Sequence, residues 1–259
     1  MKNQKMPLVT VIMNCYNGER YVYQSIESVI KQSYKNWELI FWDNKSNDNS
    51  KLLCKKFNDK RIRYFYSKNH FSLYKSRNLA IKKSKGKYIT FLDTDDLWKK
   101  NKLKTQTDFI EKNKLMICFS NYTPLITNKE RKKDLIKKLN FKVTTQNLLN
   151  NYNIGLLTVM IHKTILKKNI FNSNYQIIGD FDLFIKLSLK YQIGFIKKSL
   201  AIYRIHGSNL SFKRIDLHIK ELSLWLKKNQ DFFYKKKLDL KEQKKYLLKL
   251  KIKKFIKYY

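Results

Sequence analysis

A chain of 259 residues is long enough for one large core or two small ones, and 43% hydrophobic residues with 14% aromatics exclude a disordered protein. No run approaches the ~18 apolar residues of a membrane span, and Leu8 to Met13 is too short for the core of a secretory signal. A cytosolic chain is therefore expected. The net charge of +36, from 56 Lys and Arg against 20 Asp and Glu, invites an anionic partner. Most of that charge is Lys beside many Asn and Ile, a mixture that AT-rich coding produces by itself. Arg, the residue favoured for base readout, is scarce, so the charge argues for a nonspecific anionic surface and against specific nucleic-acid binding. Cys15, Cys54 and Cys118 are odd in number and far apart, which reads as reduced, buried thiols.

Leu8 to Met13 is a continuous apolar run bounded by Pro7 and Asn14, the pattern of a strand buried on both faces. Asn14 to Gly18 is loop chemistry, and Tyr21, Val22, Ile26, Val29 and Ile30 form a helical stripe. Trp37 to Trp42 is the next strand. It ends in Asp43-Asn44-Lys45-Ser46-Asn47-Asp48, where Ser46 or Asn47 can cap a helix through Phe57. Ile62 to Tyr66 and Lys87 to Leu92 are further strands, with helices expected over Ser72 to Lys83 and Lys99 to Lys112, and a strand over Leu115 to Ser120. Strands alternating with helices imply βαβ units and a mostly parallel sheet, whose strand C-termini share one ligand-binding edge.

The stretch Tyr88 to Trp98 runs from a strand directly into Asp93-Thr94-Asp95-Asp96. Neighbouring carboxylates repel one another and lose hydration, so something positive should offset them. Mg²⁺ or Mn²⁺ suits hard oxygen ligands. The alternative is a capped turn, with Asp95 or Asp96 as N-cap of a helix from Leu97. No G-x-G-x-x-G or G-x-x-x-x-G-K loop occurs, so a nucleotide here would need a metal and side chains to hold its phosphates.

In the second half, Asn121 to Asn140 is a polar, Lys-rich connection, Phe141 to Asn150 contains a short helix, and Gly155 to Ile161 reads as a strand. Gly179-Asp180-Phe181-Asp182 opens an amphipathic helix. Two short strands follow, near Ile193 to Ile196 and Ser199 to Tyr203, and then Tyr203-Arg204-Ile205-His206. From Lys213 onward the net charge is +11, and Leu248, Ile252, Phe255, Ile256 and Tyr259 fall on one helical face with Lys between them. Such a helix either meets an anionic membrane or packs on the protein.

Val9 to Glu19, Trp37 to Asp48, Arg77-Asn78 and Gly86 to Trp98 together resemble the family 2 glycosyltransferases. The resemblance implies an α/β GT-A fold: a Rossmann-like, mostly parallel central sheet flanked by helices, with a C-terminal helical extension. It implies a catalytic domain over 1–212, with a nucleotide-sugar half (1–120) and an acceptor half (121–212), followed by a basic tail over 213–259. Asn14, Tyr16, Asn17, Asp43, Arg77, Asp93, Thr94 and Arg204 would hold a nucleoside diphosphate sugar, a UDP-sugar foremost. Asp95 and His206 would hold Mn²⁺ or Mg²⁺. Asp180 matches the position of the family's catalytic base, although Gly179 replaces the usual Glu, and Asp182 is the reserve. Asn44 stands where the family often has a second Asp. His70, His162 and His218 carry no such context and read as surface residues.

The implied activity is inverting, metal-dependent transfer of a sugar to a surface-glycan or lipid-linked hydroxyl, at the inner face of the plasma membrane. A sugar-nucleotide nucleotidyltransferase is the rival enzyme, but Asn14 to Gly18 lacks its Gly-rich, Arg-containing loop. A noncatalytic nucleic-acid-binding module would explain the charge and leave the acidic loops unexplained.

Overall fold

A computed structural model describes residues 6–126, 142–167, 170–207 and 214–258. Most of the expected 121–140 connection, Ser208 to Ser211 and Tyr259 lie outside them. Among the described residues one sheet of nine strands organises the chain, in the order β3-β2-β1-β4-β8-β6-β9-β5, with β7 also on β9. β1 (Val9–Cys15), β2 (Trp37–Asp43), β3 (Ile62–Tyr66) and β4 (Tyr88–Phe91) pair in parallel, as do β6 (Ile117–Ile126) and β9 (Ile193–Ile205). The direction reverses only at the short strands β5 (Leu97–Trp98), β7 (Lys142–Val143) and β8 (Met160–His162). The sheet is therefore mostly parallel, as the alternation of strands and helices predicts.

Alternation along β1 sorts the two layers. Val9, Val11 and Met13 face α1 (Val22–Ile30), α2 (Ser50–Lys55) and α4 (Lys102–Asn113), while Ile12, with Ile40 and Trp42 of β2, faces the other side. That second face carries α3 (Leu73–Lys82), α5 (Thr145–Asn150), α6 (Lys163–Leu166) and α7 (Gly179–Ser188). The segment expected as a tail forms α8 (Ile215–Lys235) and α9 (Lys241–Tyr258). Trp225, Leu226, Phe233, Leu240 and Leu250 of these helices belong to the same core, each large apolar side chain contributing about 1.5–3 kcal/mol on burial. The three cysteines are buried thiols as expected; burial pushes Cys15 to about 11, and Cys54 and Cys118 to about 12.

Four local expectations are corrected. Leu97–Trp98 does not start a helix; it pairs antiparallel with Ala201–Ile202 of β9, and α4 begins only at Lys102. Asp96 is accordingly no helix cap. The Gly155 to Ile161 run is a 3₁₀ turn (Leu156–Thr158) followed by three residues of strand. The two strands expected at 193–203 are one, β9, and β6 runs on to Ile126 beside it. A register shift at Ser120–Tyr122 lets Asn121 Nδ2 donate to Lys197 O (2.7 Å), and so carries both strands past the polar Lys197-Lys198-Ser199.

A lysine lies inside this core. Lys102 is fully buried, donates to Thr90 Oγ1 (2.8 Å) and sits 3.9 Å from the centroid of the Trp98 ring. Among the described residues it has no carboxylate partner, and burial pulls its ammonium down to about 7.

Candidate active site

The parallel register delivers the sequence-singled residues to one edge. Asn14 lies opposite Trp42 and Cys15 opposite Asp43, and the Leu92 N–H donates to Ile12 O (3.0 Å) just before Asp93. The loops after β1, β2 and β4 thus emerge side by side, as a shared strand-end edge requires.

In the loop after β4 each carboxylate has its own partner. The buried Arg77, on α3, donates through one guanidinium nitrogen to both oxygens of Asp93 (2.7 and 2.9 Å). His206 Nε2 lies 2.9 Å from Asp95 Oδ2. Asp96 Oδ1 accepts the Arg204 backbone N–H (2.9 Å), while the Arg204 side chain donates to Asp95 O (2.8 Å) and to Gln24 Oε1 (2.7 Å) on α1. Asp96 is therefore an anchor between β9 and the acidic loop. Ser25, also on α1, donates to the carbonyls of Thr94 (2.6 Å) and Asp96 (2.7 Å). Burial and the neighbouring Asp93 push Asp95 above the ordinary carboxylate range, and burial with Asp95 and Asp93 beside it pushes Asp96 well above.

Several expected ligand contacts are engaged in holding the loops. Asp43 is 1% exposed; its oxygens accept the Ser46 N–H (2.8 Å) and the Tyr64 hydroxyl (2.6 Å). Ser46 and Asn47 do not cap α2. The Ser46 hydroxyl accepts the Asn17 N–H (3.0 Å), and Asn17 Oδ1 accepts the Asn47 N–H (3.0 Å), which sews the first two loops together. Asn44 uses both ends of its amide: Nδ2 donates to Phe71 O (2.8 Å), and Oδ1 accepts from the Phe71 N–H (3.1 Å) and Ser76 Oγ (2.9 Å). A carboxylate could not make the first bond, which is a physical reason for Asn at a position where the family often has Asp.

Other groups on this edge stay available. Tyr16 is exposed, with its ring centroid 4.2 Å from that of His70. Both amide atoms of Asn14 are buried without a partner among the described residues. Such an orphaned amide at a strand end suits a ligand's polar groups. His70 is exposed, as expected, and its ring also forms part of this wall; nothing in its local sequence marks that.

The two carboxylates at the start of α7 part company. Asp182 is 3% exposed and pinned by Trp225 Nε1 of α8 (2.9 Å) and Lys186 Nζ (2.6 Å), so the reserve candidate for the base is a packing residue. Asp180 is within hydrogen-bonding reach of the Tyr74 hydroxyl (3.1 Å), with the Tyr152 hydroxyl farther off (3.5 Å). Burial raises its pKa, and Arg77 partly offsets that rise. The Glu-to-Gly departure next to it has a steric cause. A Cβ on Gly179 would meet the Tyr74 ring at 2.5 Å, so the tyrosine that reaches Asp180 excludes any side chain there. The carboxylate of Glu221, on α8, accepts the backbone N–H groups of Gln176 (2.7 Å), Ile177 (3.0 Å) and Ile178 (3.1 Å) just ahead of α7. Sequence reading missed Glu221 because its partners lie more than 40 residues away. It also missed that α8 braces the segment leading to Asp180, so a unit ending at residue 212 would lack this brace.

Asp180 lies on a cleft of about 440 Å³ between α5, α7, α8 and α9, lined among others by Tyr152, Phe181, His218, Gln243 and Tyr246. His218, half-buried and with its pKa lowered by burial, is a cleft residue and no surface one.

The chemistry of the donor set at Asp95 fits a divalent cation. Asp95 and His206 converge at 2.9 Å, and the mutual repulsion of the acidic loop is what a dication relieves. No cluster of three or more His, Cys, Asp or Glu ligands occurs among the described residues. Two protein ligands would leave the remaining positions of a hard divalent cation to oxygen donors from outside the chain.

Comparison with known proteins bears on the family and the fold. Residues 10–174 match the family model "Glycosyl transferase family 2". The Escherichia coli UDP-Glc:alpha-D-GlcNAc-diphosphoundecaprenol beta-1,3-glucosyltransferase WfgD is 34% identical over 79% of each chain. Among solved structures, S. aureus TarS in complex with UDP-GlcNAc superposes with a TM-score of 0.70 at 19% identity, over 84% of this chain and 66% of that one. The Pyrobaculum calidifontis mannosyltransferase PcManGT, in complex with GDP-Man and Mn²⁺, gives 0.66 at 12% identity, over 86% and 65%. The chain thus spans a little under two thirds of these solved chains, and they bear on its fold alone. The family model covers more than half of the sequence, and the acidic strand-end loop lies inside it: the chain belongs to glycosyl transferase family 2, with a GT-A-type fold.

Proposed function

We propose that the protein moves one sugar, with inversion, from a nucleoside diphosphate sugar to a hydroxyl of a lipid-linked or surface-glycan acceptor. The observation that carries this reading is Arg77. It is bonded to Asp93 on the donor edge and lies close enough to Asp180 to lower its pKa, so one buried cation joins the donor carboxylate to the base. WfgD, by its activity, supports a UDP-sugar donor and a lipid diphosphate acceptor.

In this reading the nucleotide lies across the strand-end edge, its base against Tyr16 and His70 and its ribose and sugar near Asn14, Asp93 and Thr94. Asp43 and Asn17 shape that edge, and Arg204 holds the Asp95–Asp96 backbone in place. Asp180 takes the proton of the acceptor hydroxyl. The oxygen attacks the anomeric carbon, and the bond to the diphosphate breaks on the opposite face. A raised pKa brings this base nearer to the operating pH than an ordinary Asp. Mn²⁺ or Mg²⁺, held by Asp95 and His206, would supply positive charge to the departing diphosphate.

Residues 1–120 then serve the donor and 121–212 the acceptor, with 213–259 as a helical cover rich in Lys. No helix among the described residues is long and apolar enough to cross a membrane. Peripheral contact with the anionic inner face of the plasma membrane would bring this site to its acceptor. A thermal-shift panel of nucleoside diphosphates with and without Mn²⁺ tests the reading. A metal-dependent rise with one nucleotide, foremost UDP, is expected; no response to any nucleotide overturns it.

A further inference from the structure

By spacing, Tyr21 extends the apolar stripe of α1 that Val22, Ile26 and Val29 bury. The structure takes it out of that stripe. It is the residue before the helix, with non-helical dihedrals (φ −130°, ψ −17°). Its backbone is fixed on both sides: its N–H donates to Gly18 O (3.1 Å), and its carbonyl accepts the Ser25 N–H (3.2 Å). The half-buried ring packs instead on the end of β9 and on His206 just beyond it. Its centroid lies 4.3 Å from the guanidinium carbon of Arg204 and 5.3 Å from the centroid of the His206 ring, while the guanidinium carbon of the exposed Arg20 is 4.9 Å away.

These contacts explain the ring and leave the hydroxyl without a role. Tyr21 Oη is buried, and among the described residues it has no hydrogen-bond partner. Burying a hydroxyl unpaired opposes folding, and Phe would keep every ring contact without that penalty. Asn14, at the other end of the same loop, has the same defect in both amide atoms. The loop between them is pressed against the acidic loop. A Cβ on Gly18 would meet Thr94 Oγ1 at 3.0 Å, and Ser25, one turn beyond Tyr21, holds the carbonyls of Thr94 (2.6 Å) and Asp96 (2.7 Å).

The neighbours select the missing partner. A guanidinium cannot accept a hydrogen bond, and His206 Nε2 faces Asp95 (2.9 Å). What the phenol lacks is therefore an acceptor, and its cationic neighbours favour an anionic one. On the donor edge such an oxygen comes with the diphosphate. We propose that Tyr21 is a further catalytic residue, its hydroxyl donating to a phosphate oxygen of the nucleoside diphosphate and staying on that oxygen as the sugar leaves. The phenol keeps its proton throughout. The bond that breaks joins the anomeric carbon to the diphosphate, and its electron pair stays on the diphosphate, whose growing charge the hydroxyl stabilises. The identity of the ligand rests on the transferase reading, while the orphaned hydroxyl is independent of it.

Tyr21→Phe removes the one oxygen and keeps the ring. The melting temperature of the ligand-free variant should equal or exceed that of the wild type. Its affinity for the nucleoside diphosphate that stabilises the wild type, UDP foremost, measured by calorimetry with Mn²⁺, should fall at least about tenfold. In transfer, or in hydrolysis of the sugar donor without an acceptor, kcat should fall along with the rise in KM, because charge on the diphosphate grows in the transition state. A lower melting temperature would mean that the hydroxyl has its partner within the chain, and would overturn the proposal. So would a smaller loss of affinity. A rise in KM at unchanged kcat would place the hydroxyl on the base or ribose and overturn it too. The transferase reading fails separately. If the wild type responds to a nucleotide and Tyr21→Phe binds it equally, only the role of Tyr21 is lost; if the wild type responds to none, the reading itself is lost.

Discussion

The loops after β2 and β4 start from the same material, Asp at the end of a parallel strand, and end in opposite electrostatic states. After β2, Asp43 has both oxygens engaged by Ser46 and Tyr64, and Asn44 replaces a second charge with an amide that both donates and accepts. After β4, three carboxylates crowd together, and burial with mutual repulsion raises Asp95 and Asp96. The first loop has met its own bonding needs and serves as a frame. The second carries charge that a ligand can still stabilise. Asp182 and Asp180 repeat the contrast two residues apart: one is bonded to Trp225, the other is half-buried on the cleft.

Substitution can break this contrast from either side. The largest effect is expected at Asp180→Asn, with transfer falling about 10²–10⁴-fold and the melting temperature nearly unchanged. Protonated Asp180 cannot accept another proton. The wild-type rate should therefore fall as pH drops through a pKa above the ordinary Asp range, and Tyr74→Phe, which removes a hydrogen bond that lowers it, should move that limb to higher pH. Next comes Asp95→Ala, with turnover down about 10²–10³-fold through loss of charge stabilisation at the diphosphate. Its stability should be equal or higher near neutral pH: a raised folded pKa means that the fold penalises the ionised form, a penalty that grows as pH rises above the unfolded value and vanishes on substitution.

The frame residues should behave the other way. Asp182→Ala leaves the Trp225 N–H unpaired in the core and should cost about 1–3 kcal/mol in denaturant unfolding, with transfer per folded molecule within a few-fold of wild type. Asp43→Ala strands the Ser46 N–H and the Tyr64 hydroxyl, for a loss in the same range. If Asp43→Ala kept full stability and lost nucleotide binding, the division into frame and ligand loops would be wrong.

The smallest effect lies away from both loops. Between pH 7 and 10.5 the unfolded chain holds a proton on Lys102 that the fold releases, so this lysine makes stability rise with pH across that window. Lys102→Met should raise the melting temperature at pH 7, by about 1 kcal/mol in stability, and flatten that dependence.

What could be read from the sequence was what depends on neighbours in the chain. The runs at β1 and β2 and the helical stripe of α1 carry their period in consecutive residues, and the acidic loop announces itself by composition. Distant partners were invisible. Leu97–Trp98 becomes a strand because β9 supplies Ala201–Ile202, and the same pairing brings Arg204 to Asp96. Period cannot tell a short buried strand from a 3₁₀ turn, so Leu156–Thr158 was misread. A lone His has no local signature, and both His70 and His218 gained their places only when β1, α8 and α9 were packed. On α9, the apolar stripe at 248–256 was legible, but the inward Gln243, Leu247 and Leu250 that decide its orientation were not.

Glu221 sets an order in time as well as in space. β1, β2 and the loops after them need only early partners, whereas the acidic loop after β4 waits for Arg204 and His206, and three backbone N–H groups ahead of α7 find their acceptor only when residue 221 has appeared, 41 residues after Asp180 itself. On an emerging polypeptide the first two strand-end loops can therefore assemble first, and the segment ahead of Asp180 is braced only after residue 221 has emerged. A chain ended before residue 221 would have Asp180 without the carboxylate that holds the backbone ahead of it.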